Sequence, residues 1–155
     1  MTRWYNQYVG LPYGRAPGQY TCWSLVAKAY REVLRIDVPE YGEVSAAYVA
    51  ATGRLRSGLG TLEEMAQARR AVARAIDAGQ ASECWEPKED PVPFDVVLML
   101  NTKTSRIGHV GVMATSDLIL HTENSHGSVL VPVSHLSVRG RILGYRRHVN
   151  VGRDL

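Results

Sequence analysis

The sequence predicts an α+β domain, and three observations carry that expectation. Apolar residues recur at helical spacing in the first half, they alternate at strand spacing after Pro93, and a proline-rich block from Glu86 to Pro93 separates the two regimes. Helices that precede strands in a run, rather than alternating with them, imply an antiparallel sheet with helices packed on it. At 155 residues the chain is expected to form a single domain, 1–155, with no need for a second core.

The elements follow in order. The first twenty residues carry turn signals at Pro12, Gly14, Pro17 and Gly18 and read as an irregular arm. Cys22, Leu25, Val26, Ala29, Tyr30, Val33 and Leu34 then fall on one face of a helix, with Thr21 as its N-cap and Cys22 in the first turn. A short helical segment is expected near Ser45 to Ala51, stopping at Gly53, and Leu55 to Gly60 reads as a glycine-punctuated loop. Thr61 and Glu64 form a capping-box pattern that opens a helix ending before Gly79. Glu86 to Pro93 reads as a linker within the domain. Strands are expected at Phe94–Leu100, His109–Thr115, Leu118–His121, Val129–Val133 and Ile142–Val149.

Composition narrows the function classes. An apolar fraction of 45% and a charged fraction of 21% are ordinary for globular domains and exclude disordered, collagen-like and coiled-coil chains. No apolar run approaches the ~20 residues of a membrane span, and Met1 to Gly10 lacks a signal-peptide h-region, so a soluble product made in the cytoplasm is expected. Cys22 and Cys84 cannot build a disulfide framework, and nothing in their spacing favours a bridge. The net charge is +3, with Arg139, Arg141, Arg146, Arg147, His148 and Arg153 crowding the C-terminal end; that cluster suits either an anionic partner or a solvated basic edge.

The chemistry-bearing pattern is a thiol on a helix start followed by imidazoles on strands. A cysteine attacks as its thiolate, and a helix N-terminus together with a nearby imidazolium stabilises that anion. A three-residue hairpin loop at Ala114-Thr115-Ser116 would set His109 directly opposite His121, with His121 fixing the tautomer and orientation of His109. Gly111 leaves room beside the imidazole. Tyr13 is a candidate donor to a developing oxyanion, with the Cys22 backbone N–H. His126 sits in a polar turn, His135 and His148 read as surface residues, and no His-x-x-x-His spacing marks a metal site, so no metal or cofactor is expected.

Six segments in order resemble the NlpC family of cell-wall cysteine peptidases, a branch of the papain-like fold. They are Leu11-Pro12-Tyr13-Gly14, Thr21-Cys22-Trp23-Ser24-Leu25-Val26, Phe94-Asp95-Val96-Val97-Leu98-Met99, Gly108-His109-Val110-Gly111-Val112, Ile119-Leu120-His121-Thr122 and Gly144-Tyr145-Arg146-Arg147. The wording around Cys22-Trp23, Leu120-His121-Thr122-Glu123 and Gly144-Tyr145-Arg146 looks most like bacteriophage members associated with tail assembly. The resemblance implies an N-terminal nucleophile helix on an antiparallel sheet of about five strands, with residues 44–92 as a helical insertion outside its coverage.

It further implies Cys22 as nucleophile, His109 as base and then acid, His121 as orienter, and Tyr13, Thr21 and Trp23 around the oxyanion and substrate. The implied substrate is a peptidoglycan stem peptide and the implied setting a phage tail acting at the wall, with tail-tip proteins as partners, no nucleic acid and no membrane insertion. The family usually has Asp before the thiol and Gly two residues after it. This chain has Thr21 and Ser24, which removes the carboxylate suited to a substrate's free N-terminal amine. Rival readings are an amidase or acyltransferase on the same fold, and a non-catalytic tail-assembly or wall-binding protein.

Overall fold

The computed structural model describes residues 2–39, 42–80, 83–101 and 104–152. Among the described residues, three helices, six strands and two short helical turns build a fold around a six-stranded antiparallel sheet. The helices are α1 (Cys22–Ala29), α2 (Gly42–Arg56) and α3 (Leu62–Gln80). The strands are β1 (Trp85–Lys88), β2 (Val96–Asn101), β3 (Thr104–Met113), β4 (Leu118–Glu123), β5 (Gly127–Pro132) and β6 (Ile142–His148), with order β1-β6-β2-β3-β4-β5. The α+β expectation holds, with one strand more than the sequence indicates.

That extra strand is β1. The Glu86–Pro93 block was expected to be a linker, yet Trp85 to Lys88 pairs antiparallel with β6. Pro87 is tolerated because β1 lies at the sheet edge, where a missing N–H costs no ladder bond to a second neighbour.

Alternation along the strands builds two cores. Val96, Leu98, Val110, Val112 and Leu120 meet Leu25, Val26, Ala29 and Tyr30 of the α1 segment, while Val97, Met99, Met113 and Ile119 form a second cluster with Val138. Each fully buried Leu or Val contributes about 1.5–3 kcal/mol, so this face fixes α1 against the sheet. The apolar face expected through Leu34 is present, but regular α-helix stops at Ala29 and a single π-type turn, Tyr30–Leu34, ends at Arg35 with φ +58°.

The N-terminal arm is anchored rather than loose. Trp4–Tyr8 forms a 3₁₀ turn that buries Tyr5 and Tyr8. The backbone of Leu11 then pairs with Ser128 in both directions, its N–H donating to Ser128 Oγ at 2.7 Å and its carbonyl accepting from Ser128 N–H at 2.9 Å. Gly127 permits that approach: its φ is +71°, and a Cβ there would lie 2.5 Å from the Leu11 carbonyl oxygen.

α2 and α3 form an antiparallel hairpin, as the two halves of the insertion. α2 runs through Gly53 to Arg56, past the expected stop, and α3 begins after its Thr61 cap, whose Oγ1 accepts from Glu64 N–H at 3.1 Å. Glu64 directs its carboxylate to Arg54 at 3.1 Å. Among the described residues, the hairpin's own buried core is Ala51, Met65 and Ala68.

Candidate active site

Thr21 caps α1 as expected. Its Oγ1 accepts from Ser24 N–H at 3.4 Å while Ser24 Oγ accepts from Thr21 N–H at 2.8 Å, a reciprocal box that satisfies two end-of-helix donors. The two positions that depart from the family pattern are therefore one device. Cys22 follows at the first helical position, and its thiol faces backbone N–H groups of Val110, Trp23 and Cys22 itself. Trp23 donates from Nε1 to the Pro39 carbonyl and packs edge-on to Trp85, their centroids 6.1 Å apart.

His109 lies within β3, which starts earlier than expected, at Thr104. Met99 pairs with His109 and Leu100 with Ile107, so Gly108 is an unpaired extra residue immediately before the histidine. Such a bulge re-aims the neighbouring side chain. His109 Nε2 lies 2.9 Å from His121 Nδ1, with the rings edge-on.

The register that brings them together differs from the expected one. Val112 pairs with Leu120 and Met113 with Ile119, which sets Gly111, not His109, opposite His121. The connection is the longer Ala114 to Asp117 loop, closed by Ala114 N–H to the Leu118 carbonyl at 2.8 Å. The shift is two residues, so both imidazoles stay on one face and meet on the diagonal. Gly111 makes room for this arrangement: a Cβ would stand 2.8 Å from Ile119 Cγ2 and 3.1 Å from His121 Cβ.

Glu123, which sequence reasoning missed as a site residue, closes the cluster. Its Oε1 lies 3.6 Å from His109 Nε2 and 3.9 Å from His121 Nδ1, and 2.7 Å from Arg141 Nη1. Its Oε2 is 3.7 Å from His126 Nε2. The signal available in sequence was its place two residues after His121, on the same strand face. Side-chain atoms of His109, His121 and Glu123 lie within 4.8 Å of one another, a set capable of gripping a metal ion. Two features disfavour that use: the facing histidine nitrogens already bond each other, and the Arg141 guanidinium sets a positive charge against the carboxylate.

Burial governs the electrostatics. It pushes the Cys22 thiol up, opposed by the surrounding backbone N–H groups and reinforced by the Glu123 charge. It pushes His109 well below its ordinary value, helped by His121, Arg141 and His126, and brings His121 down to about 4. Desolvation therefore favours thiol and neutral imidazole over the expected thiolate–imidazolium pair, with Cys22 half-buried in the cavity wall. Tyr13 is raised by burial, then by Cys22 and Tyr48, so its phenol keeps the proton an oxyanion donor needs.

Cys22, Thr21, Trp23, Tyr13 and His109 all line one cavity of ≈ 290 Å³, and His121 reaches it through His109. The α2–α3 hairpin forms the facing wall with Tyr48, Arg56, Arg69, Val72 and Ile76. Arg56 Nη1 reaches across to Asn124 Oδ1 at 3.3 Å. Among the other histidines, His135 is exposed as expected and His126 is half-exposed beside Glu123. His148 is a correction: it is buried, edge-on to Trp85 at 4.9 Å.

Two arginines of the basic C-terminal run are held by carboxylates. Arg147 forks onto Asp95 through two 2.8 Å bonds and Arg141 pairs with Glu123, while Arg153 lies outside the described residues. Among the described residues, no helix is long and apolar enough to cross a membrane.

No protein-family model matches the sequence, and no curated protein does. Solved structures do match. A Staphylococcus aureus Mu50 protein described as similar to lipoprotein, NLP/P60 family, aligns with TM-score 0.53 at 13% identity, over 92% of this chain and 38% of its own. The chain thus spans well under half of that protein. The NlpC/p60 domain of the peptidoglycan hydrolase SagA aligns with TM-score 0.49 at 11% identity, over 92% and 91%. With α1 packed on an antiparallel sheet, the chain has the NlpC/P60 fold.

Proposed function

We propose that the chain is a cysteine endopeptidase cleaving an amide bond in murein stem peptides, in the setting of a phage or prophage tail acting at the cell wall. The observation that carries the chemistry is the His109–His121 bond of 2.9 Å in the cavity wall that holds the Cys22 thiol. The substrate class rests on the NlpC/P60 fold together with the six resembling segments; the tail setting, tail-tip partners and delivery by a virion rest on the resemblance alone.

His109 Nε2 is engaged by His121, so Nδ1 is the nitrogen assigned to exchange a proton with sulfur. Nδ1 accepts only if Nε2 carries the hydrogen, and His109 then donates it to His121 Nδ1. Because burial favours the uncharged pair, the sulfur proton passes to His109 as sulfur attacks the carbonyl carbon. Tyr13 and the Cys22 backbone N–H stabilise the tetrahedral oxyanion, and Glu123 stabilises the imidazolium formed. His109 returns the proton to the leaving amine, and a water activated by the same imidazole resolves the thioester. No cofactor enters this sequence. With Thr21 in place of a carboxylate beside the thiol, the scheme has no dedicated group for a free substrate N-terminus.

The test is digestion of purified sacculi by wild type and Cys22→Ala, with mass spectrometry of the fragments. New amine and carboxyl termini at one stem-peptide bond, lost in the variant, are expected. Acyl loss without peptide cleavage, or cleavage by Cys22→Ala, overturns the proposal.

A further inference from the structure

α3 turns an apolar stripe inward: Met65, Ala68, Val72 and Ile76 follow the spacing i, i+3, i+7, i+11. Arg69 stands inside that stripe and lines the Cys22 cavity. Its neighbours in type behave differently: Arg70 and Arg74 are exposed, and Arg70 pairs with Glu63 at 3.2 Å. The Nε of Arg69 is buried and, among the described residues, has no hydrogen-bond partner. Snorkelling accounts for an aliphatic stem lying on apolar surface, but it carries the polar head to water rather than sealing a donor in the wall. A guanidinium keeps its proton, so deprotonation cannot relieve that cost.

The charge around it points the same way. Four arginines line the cavity, Arg56, Arg69, Arg141 and Arg146, against one carboxylate, Glu123, which Arg141 already holds at 2.7 Å. With Arg141 held by Glu123, no lining carboxylate is left to Arg69 among the described residues. Low-dielectric walls strengthen the field that its guanidinium exerts on an incoming anion.

We propose that the α3 wall of the Cys22 cavity is a carboxylate subsite, in which Arg69 binds a free carboxylate of an acidic acyl-peptide substrate. This rests on the reading of Cys22 as an acyl-transfer nucleophile and adds the substrate's chemistry: the recognised group is ionised and not amidated. The planar fork of a guanidinium matches a carboxylate, and a charge-assisted bond formed in a desolvated wall discriminates strongly against a carboxamide.

The experiment uses stem peptides of one sequence in which each carboxylate in turn is converted to a carboxamide, assayed with wild type, Arg69→Met and Arg69→Lys. One amidation is expected to lower wild-type kcat/KM by about 10- to 100-fold. Arg69→Met should lower cleavage of the free acid by a similar factor and leave that amidated peptide within about threefold, while Arg69→Lys recovers part of the preference. Cleavage of every amidated peptide at the wild-type rate, or discrimination that survives Arg69→Met, overturns the subsite. The wild-type comparison stands even if a variant misfolds, which circular dichroism reports.

Cys22-dependent cleavage without carboxylate preference would leave the hydrolase reading intact and defeat this inference alone. If no peptide is cleaved, the hydrolase reading fails, and calorimetry on Cys22→Ala decides the subsite. Binding at least tenfold tighter for one free acid than for its carboxamide supports it, whereas equal or undetectable binding overturns it.

Discussion

The sheet with α1 and the α2–α3 hairpin are two differently built halves of one cavity. Among the described residues, fifteen buried ones tie α1, the arm and the sheet together, whereas three hold the hairpin's own core. The half with the deep core carries Cys22, His109, His121 and Glu123, and the hairpin half carries Tyr48, Arg56 and Arg69. On the function proposed above, chemistry would sit where packing is overdetermined, and selectivity where a few contacts can change without unfolding the rest.

The largest test of that division is kinetic. His121→Ala removes the partner that fixes the His109 tautomer, and kcat is expected to fall by about 10²- to 10⁴-fold with KM little changed. A rise in KM with kcat unchanged would assign His121 to binding instead. Next in size is Arg147→Ala, which strands the fully buried Asp95 carboxylate at the start of β2 and should cost about 3–5 kcal/mol in a urea melt. Loss below about 1 kcal/mol would mean that the sheet half is less interdependent than its packing implies.

Acid provides a third, somewhat smaller test. Burial depresses both His109 and His121, so the unfolded chain binds more protons than the folded one as pH falls from about 7 towards about 4. Stability is fully present above the ordinary histidine range and drains away below it. A melting temperature about 5–10 °C lower at pH 4 than at pH 7, with His121→Asn flattening the dependence, is expected. The smallest effect belongs to the hairpin: Met65→Ala should cost about 2 kcal/mol or slightly more. That loss should accelerate amide exchange in α2 and α3 while leaving β2 and β3 unchanged. Uniform acceleration across both halves would erase the comparison.

How much of this was legible in the sequence follows the same division. The Thr21 cap, the Cys22 helix and the facing of the two histidines were readable because each depends on local periodicity. The error of two residues in the β3–β4 register was harmless, since a period of two returns every side chain to the same face. What escaped depends on distant partners. β1 hides in four residues containing a proline and is a strand only because β6 lies beside it. His148 reads as a surface histidine until Trp85 covers it. Glu123 and Arg69 look like solvated charges in their own segments, and only the tertiary fold brings one to the imidazoles and the other into the cavity wall. Burial pushes the Cys22 thiol up and His109 down, against the expected ion pair, and spacing along the chain carries no information on that desolvation.

The central claim is that Cys22 forms a covalent acyl intermediate. Acid quenching of wild type and Cys22→Ala during turnover of a stem peptide, followed by intact-mass measurement and peptide mapping, tests it most directly. The account predicts a transient mass increase equal to the acyl half of the substrate on the peptide containing Cys22, absent from the variant. Turnover with no adduct on Cys22, retained in Cys22→Ala, would contradict it.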